Sequence, residues 1–447
     1  MRKILVCALG LAFAALIFGA TKEVAIPFKQ FKLKNGLTLL LSEDHTAPTY
    51  SIAVVYNVGS RDEKAGRTGF AHLFEHMMFQ GSDNVAKGEY SALIAQNGGS
   101  LNGTTDNDRT LYFETLPANQ LDLGLFLEAD RMGKLAVTQA NLDNQRNAVQ
   151  EERRLRVDNQ PYGKTFEAID DLAYDTFAYK HSVIGSMADL NAASLQDVQE
   201  FFKRYYAPNN ATIAIVGDFK TDDALAKVKK YFESIPAQPA PPKPDLSQPD
   251  QQAERRETLE DQFAQFPRID IVYRIPAGDT ADYYALSVMS RVLSSGQSSR
   301  LYQKLVKDTE VAANASAFAN QRPGPSLLQI SVTVRPGKDL AAVEKMVYDE
   351  IAKLQNQPAE DWEMDKVHMI LRRNQVSGAQ STLNRAANLA ATSVEFGDAN
   401  LVNTEYQKLA AVTKVDIMRV AKKYLVETNR SVVITMPKAK TAGAAGN

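Results

Sequence analysis

The chain has 447 residues, 44% of them apolar and 23% charged, enough to fill more than one hydrophobic core, so two domains or more are expected. Lysine plus arginine (51) nearly balance aspartate plus glutamate (53), which leaves a formal charge of −2 and no basic excess suited to nucleic acid; the scattered cations read as solvated surface. One cysteine, Cys7, excludes an intramolecular disulfide framework.

In chain order, Met1-Arg2-Lys3, the apolar run from Ile4 to Phe18 and the small pair Gly19-Ala20 have the build of a secretory signal over residues 1–20. That run is too short for a spanning helix. Removal near Ala20 takes Cys7 with it, leaving no thiolate to bind a metal, and implies a periplasmic or secreted chain with no stable membrane span.

Ser51 to Tyr56 reads as a strand, and it feeds a helical stretch carrying His72-Leu73-Phe74-Glu75-His76. Positions i, i+3 and i+4 of a helix are surface neighbours, so His72 and His76 can grip one ion from adjacent turns with Glu75 beside them. Imidazole nitrogen suits zinc, and an unligated carboxylate next to a zinc site can take a proton from water. The order H-x-x-E-H is that of the inverzincins. A third ligand is expected from the helical stretch Gln150-Glu151-Glu152-Arg153-Arg154, as either Glu151 or Glu152, with 74 or 75 residues between it and His76. The lone histidines His45, His181 and His368 read as structural.

The segment Pro236 to Pro249 has six prolines in fourteen residues and marks a boundary of extended backbone. On either side the chain repeats itself. Tyr205 to Asn210 leads into the apolar run Ala211 to Gly217, as Tyr424 to Arg430 leads into Ser431 to Met436. Arg268 to Tyr273 likewise feeds the helix-like Tyr283 to Leu293 as Ser51 to Tyr56 feeds the histidine helix. Two copies of one α+β unit account for this, and the second lacks H-x-x-E-H.

The pentad and the later glutamate resemble the pitrilysin/insulinase family of zinc metallopeptidases. The likeness extends over roughly residues 28–438, through Phe31 to Leu37, Gly66 to Ala71, Leu101 to Thr105, Arg109 to Phe113 and Asp158 to Gly163. It implies two homologous α/β-roll domains that form half of a clamshell: a signal (1–20), a zinc-bearing domain (28–235), a linker (236–262), a second domain (263–438) and a flexible tail (439–447). Aligning Asn147 to Glu152 on the family's second helix selects Glu152 as the third ligand of Zn2+, with Glu75 as general base of a zinc endopeptidase acting on peptides or unfolded chains. Substrate is expected along the strand near Leu101 to Thr105, with Asn102 and Thr104 as contacts, although Asn102-Gly103 also suits a turn.

Two departures from the family pattern stand out. The Arg and Tyr that hold the substrate carbonyl should fall at Val306 and Ala313 and are absent. Gln145 replaces a frequent acidic residue seven positions before Glu152. The missing pair implies a heterodimer with a related zinc-less subunit that carries it; the competing reading is a non-catalytic zinc-binding or assembly subunit of a peptidase-like complex.

Overall fold

The computed structural model describes residues 25–438. The expected signal with Cys7, and the expected tail, lie outside the described residues. The first half builds a six-stranded sheet from β1 (Lys29–Lys32), β2 (Thr38–Glu43), β3 (Thr49–Tyr56), β4 (Ser100–Thr105), β5 (Thr110–Pro117) and β6 (Ala211–Gly217), in the order β1-β2-β6-β3-β5-β4. Its helices are α1 (Phe70–Met77), α2 (Glu89–Gln96), α3 (Leu121–Lys134), α4 (Gln139–Arg153), α5 (Gly163–Ala173), α6 (Met187–Ala192), α7 (Leu195–Tyr205) and α8 (Thr221–Phe232). The second half builds a five-stranded sheet from β7 (Arg255–Asp261), β8 (Arg268–Ile275), β9 (Ala312–Ala319), β10 (Ser326–Val334) and β11 (Arg430–Pro437), ordered β7-β11-β8-β10-β9. With it go α9 (Ala281–Ser294), α10 (Leu340–Asn356), α11 (Asp361–Gln380), α12 (Thr382–Glu395), α13 (Leu401–Ala410) and α14 (Lys414–Tyr424).

The two sheets are copies of one α+β unit. Each has one parallel pair, β2 with β6 and β7 with β11, and is otherwise antiparallel. Local chemistry repeats too. Ser194 and Asp197 form a capping box at α7, as do Thr413 and Asp416 at α14, each satisfying helix N–H groups that have no partner within the helix. After these helices Asn210 donates to Tyr205 O and Asn57 O, and Asn429 to Tyr424 O and Arg274 O, so the same side-chain clamp turns the chain into β6 and β11. Strand β7 lies within the stretch 236–262 expected as linker, so this stretch supplies the second sheet's edge as well as a connection.

Nearly every residue of β3, β6 and β8 is buried, as expected of strands covered on both faces. One face of the first sheet, with Ile52, Val54, Ile213 and Ile215, packs on Leu73, Phe74 and Met77 of α1. The alternate residues Leu40, Ala53, Val55, Ala214 and Val216 point the other way and are covered by Ala386, Leu389 and Ala390 of α12, which comes from the second half. The exchange is reciprocal, because Ile169, Ala173 and Tyr174 of α5 cover Val272 and Val433 of the second sheet. Among the described residues no helix is long and apolar enough to cross a membrane.

Candidate metal and catalytic centre

Helix α1 is short, and its sequence divides cleanly between two faces. Phe70, Ala71, Leu73, Phe74 and Met77 are buried, with the Phe74 ring stacked on Phe201 and Tyr206 at 5.3 and 5.0 Å between centroids. That anchorage turns His72, Glu75 and His76 toward the neighbouring α4. The helix starts at Gly69, whose φ of 86° is the left-handed conformation that glycine adopts without strain. Its first N–H groups are satisfied from a distance: Gly69 N donates to Glu63 Oε2 (2.9 Å) and Ala71 N to Oε1 (2.8 Å), a carboxylate on the positive end of the helix.

Helix α4, begun by Thr138 accepting from Asn141 N, delivers Glu152 near its last turn. Glu152 Oε2 lies 3.2 Å from His76 Nε2 and 3.6 Å from His72 Nε2. Its other oxygen faces Arg156 Nη1 at 2.9 Å, which fixes the carboxylate's orientation. Immediately after Glu152 and Arg153 the chain widens into a π-helical turn, Arg154–Asp158, a feature often found beside functional residues. Glu151 points away: its side chain is 59% exposed and paired with Arg154, against 18% for Glu152.

The donor set fits zinc. Bonds of about 2.0–2.1 Å arranged tetrahedrally put ligand atoms about 3.3 Å apart, and the two measured separations bracket that value. His72, His76 and Glu152 are the one group of three or more histidine, cysteine or carboxylate residues among the described residues that can meet at a common ion. Burial, with His76 next in effect, holds the His72 imidazole down at about 4, so it is neutral with a lone pair available near pH 7. The hydrogen bond from His76, ahead of all other causes, holds the Glu152 carboxyl below its ordinary value and keeps it ionised. His72 Nδ1 is buried with no hydrogen-bond partner among the described residues, and Nε2 is the nitrogen that faces Glu152.

Glu75 occupies a different environment. Burial pushes its carboxyl above the usual range, while Thr105 and His76 pull the other way. A carboxylate so raised is a better proton acceptor than one in water. His72, Glu75, His76 and Glu152 line one open cavity of about 560 Å³ together with Asn102, Gly103, Thr104 and Thr105 of β4, and Gln145 and Arg156. Asn102 and Gly103 are strand residues, not a turn. β4 ends the sheet order, so its outer backbone groups are free to pair with an added strand, and Gly103 N is met there by Asn102 Oδ1 at 2.8 Å. A Cβ on Gly103 would meet Glu75 Cγ at 3.0 Å, so a side chain there would press on Glu75.

The other sequence candidates sort themselves by place. Gln145 lines the cavity and donates to Asn144 Oδ1. Val306 lies on the π-helical segment Tyr302–Asp308 and packs on the second core, and Ala313 lies in β9. Arg300 is committed to a bidentate pair with Glu363 (2.8 and 2.7 Å). His45 is exposed beside Asp218, and His368 Nε2 is buried without a partner among the described residues. Arg156 and Glu63 were not singled out in the sequence; the i+4 spacing from Glu152 was a signal for the first, while nothing local marks the second.

The sequence pattern described as "Insulinase (Peptidase family M16)" matches residues 38–186, and that described as "Peptidase M16 inactive domain" matches residues 192–371. The chain is similar to a protein named zinc protease PqqE of Helicobacter pylori, at 30% identity over 411 residues, 91% of this chain and 92% of that one. It is also similar to an uncharacterized zinc protease, YmxG, of Bacillus subtilis, at 22% identity over 68% of this chain and 72% of the other. The crystal structure of a protease from Helicobacter pylori superposes with a TM-score of 0.88 at 29% identity, covering 92% of this chain and 100% of that chain. The periplasmic protease PqqL from Escherichia coli shares the fold at a TM-score of 0.76 and 19% identity, over 93% of this chain and 48% of that longer one.

Proposed function

Since the chain belongs to the insulinase family of peptidases, M16, we propose that it is a zinc-dependent endopeptidase subunit that hydrolyses peptides or unfolded chains. The observation that carries this reading is the meeting of His72, His76 and Glu152 with Glu75 in one cavity beside an open sheet edge. His72, His76 and Glu152 would hold a zinc ion, which would supply Lewis acidity toward water and a carbonyl oxygen. Glu75 accepts the proton of the attacking water and passes it to the leaving amine nitrogen. Backbone groups of β4, with Asn102 and Thr104 exposed along it, hold the substrate as an added strand. Arg156 keeps Glu152 facing the two imidazoles.

No donor stands at Val306 or Ala313, and oxyanion donors are commonly worth about 10²–10³ in rate each. A related zinc-less subunit carrying an arginine and a tyrosine completes the site in this reading, in the periplasm or outside the cell. The same absence favours, as second reading, a non-catalytic zinc-binding or assembly subunit. The test is hydrolysis of a mixed peptide pool by the purified, zinc-loaded chain, alone and with copurifying partners, with Glu75→Gln as control. Cleavage that Glu75→Gln lowers by about 10²–10⁴, with zinc retained, bears out the reading. Zinc binding without cleavage in any combination leaves the assembly subunit.

A further inference from the structure

We infer that His181, held as an imidazolium between Phe177 O and the Glu63 carboxylate, is the positioning residue that sets the start of the helix bearing His72, Glu75 and His76. The inference rests on the reading of that helix as the metal-ligand helix. His181 Nδ1 lies 2.9 Å from Phe177 O and Nε2 lies 3.0 Å from Glu63 Oε2. Both partners are acceptors, and only the doubly protonated ring donates from both nitrogens. A neutral ring would turn a lone pair toward one of them.

Glu63 gives that charge its purpose. Its side chain is fully buried and spans Gly69 N and Ala71 N, so both its oxygens are committed to the first turn of α1. Burial pushes the Glu63 carboxyl above its ordinary value, and the bond from His181, the cation that touches it, is the largest effect pulling it back toward the ionised form. The relay from ring to carboxylate to two backbone N–H groups ends one residue before His72. The Phe177 ring stacks on the imidazole at 4.3 Å between centroids and completes its enclosure. Besides Glu63 on the lead-in to α1, the ring feels the Asp170 carboxylate of α5, which Arg322 also faces.

Burial opposes the charge on His181, yet the bonds to Glu63 and Phe177 O prevail and its pKa lies above 6.5. The stabilisation is then complete below the unfolded value near 6.5 and is lost as pH rises through the raised folded value.

The test uses the full chain with 15N-labelled histidine; the chain holds five histidines, and His181→Gln assigns the resonance. The expected result is a ring protonated on both nitrogens at pH 6.5 and titrating above that value. A ring neutral at pH 6.5 overturns the inference whether or not any peptide is cleaved. Zinc affinity, read by chelator competition, is expected to fall about 10-fold in His181→Gln, at the low end for outer-sphere partners, and to return in His181→Arg. In His181→Arg zinc affinity is expected to hold to higher pH than in the wild type, since guanidinium does not titrate there. Unchanged zinc affinity in a folded His181→Gln also overturns the inference. Failure to cleave any peptide, alone or with copurifying partners, rejects the peptidase reading and leaves the ring titration and zinc affinity to decide this one.

Discussion

Gly185 lies against Gly69 so closely that a Cβ on Gly185 would stand 2.5 Å from Gly69 Cα and Gly69 N. Both have positive φ, 76° and 86°. Arg153, next to Glu152, donates to Gly185 O at 2.7 Å and to both oxygens of Glu167. The last turn of one ligand helix is thereby joined to the first residue of the other through a contact that admits no side chain. Gly185→Ala is expected to destabilise the fold by about 1–3 kcal/mol and to weaken zinc binding by about 10-fold or more, read by denaturant unfolding and chelator competition. Wild-type zinc affinity in a folded Gly185→Ala would show that the contact does not align the ligands.

Adjacent glutamates offer an internal control. Glu152→Ala is expected to lose nearly all bound zinc, because two imidazoles alone make an incomplete site. Glu151→Ala removes a mostly exposed carboxylate and is expected to leave metal content unchanged and stability within about 0.5 kcal/mol. Metal analysis of the two purified variants checks both. Equal zinc content in the two would remove Glu152 from the ligand set.

Glu395 of α12 meets Arg109 Nε at 3.1 Å, on the hairpin that follows β4, and Arg109 Nη1 in turn donates to Thr104 Oγ1 at 3.1 Å. Burial foremost, with Asp106 adding to it, pushes the Glu395 carboxyl up to about 8. The folded state therefore holds a proton that the unfolded state releases from about 4.5 upward, so stability from this group falls as pH rises from there to about 8. Glu395→Gln is expected to flatten that fall by about 1–3 kcal/mol between pH 5 and pH 8, measured as the difference between urea-unfolding curves. Parallel curves for the two proteins would show that Glu395 does not titrate in this window.

What was legible in the sequence is what is local. The His72 to His76 pentad is readable because one helical turn fixes its geometry. The repeat is readable because the same turn precedes β6 and β11. Choosing between Glu151 and Glu152 needed the register of a second helix, which no spacing rule supplies; in the fold Glu152 faces the imidazoles and Glu151 faces solvent. Glu63 and His181 escaped that role because the bond between them spans 118 residues, and a lone histidine carries no periodic signal. The nearly continuous apolar runs of β3 and β6 announce two buried faces, but not that a helix from the far half covers one of them.

That cover sets a timetable for biosynthesis. The first sheet has all its strands once Gly217 is made, yet α12 begins at Thr382, about 165 residues later. At about 5–20 residues per second the ribosome needs roughly 8–33 s to deliver it. Through that interval Leu40, Ala53, Val55, Ala214 and Val216 form an apolar face with nothing to lie on it. The nascent chain is then a natural client for a holding chaperone, and its first half cannot reach its final form ahead of its second.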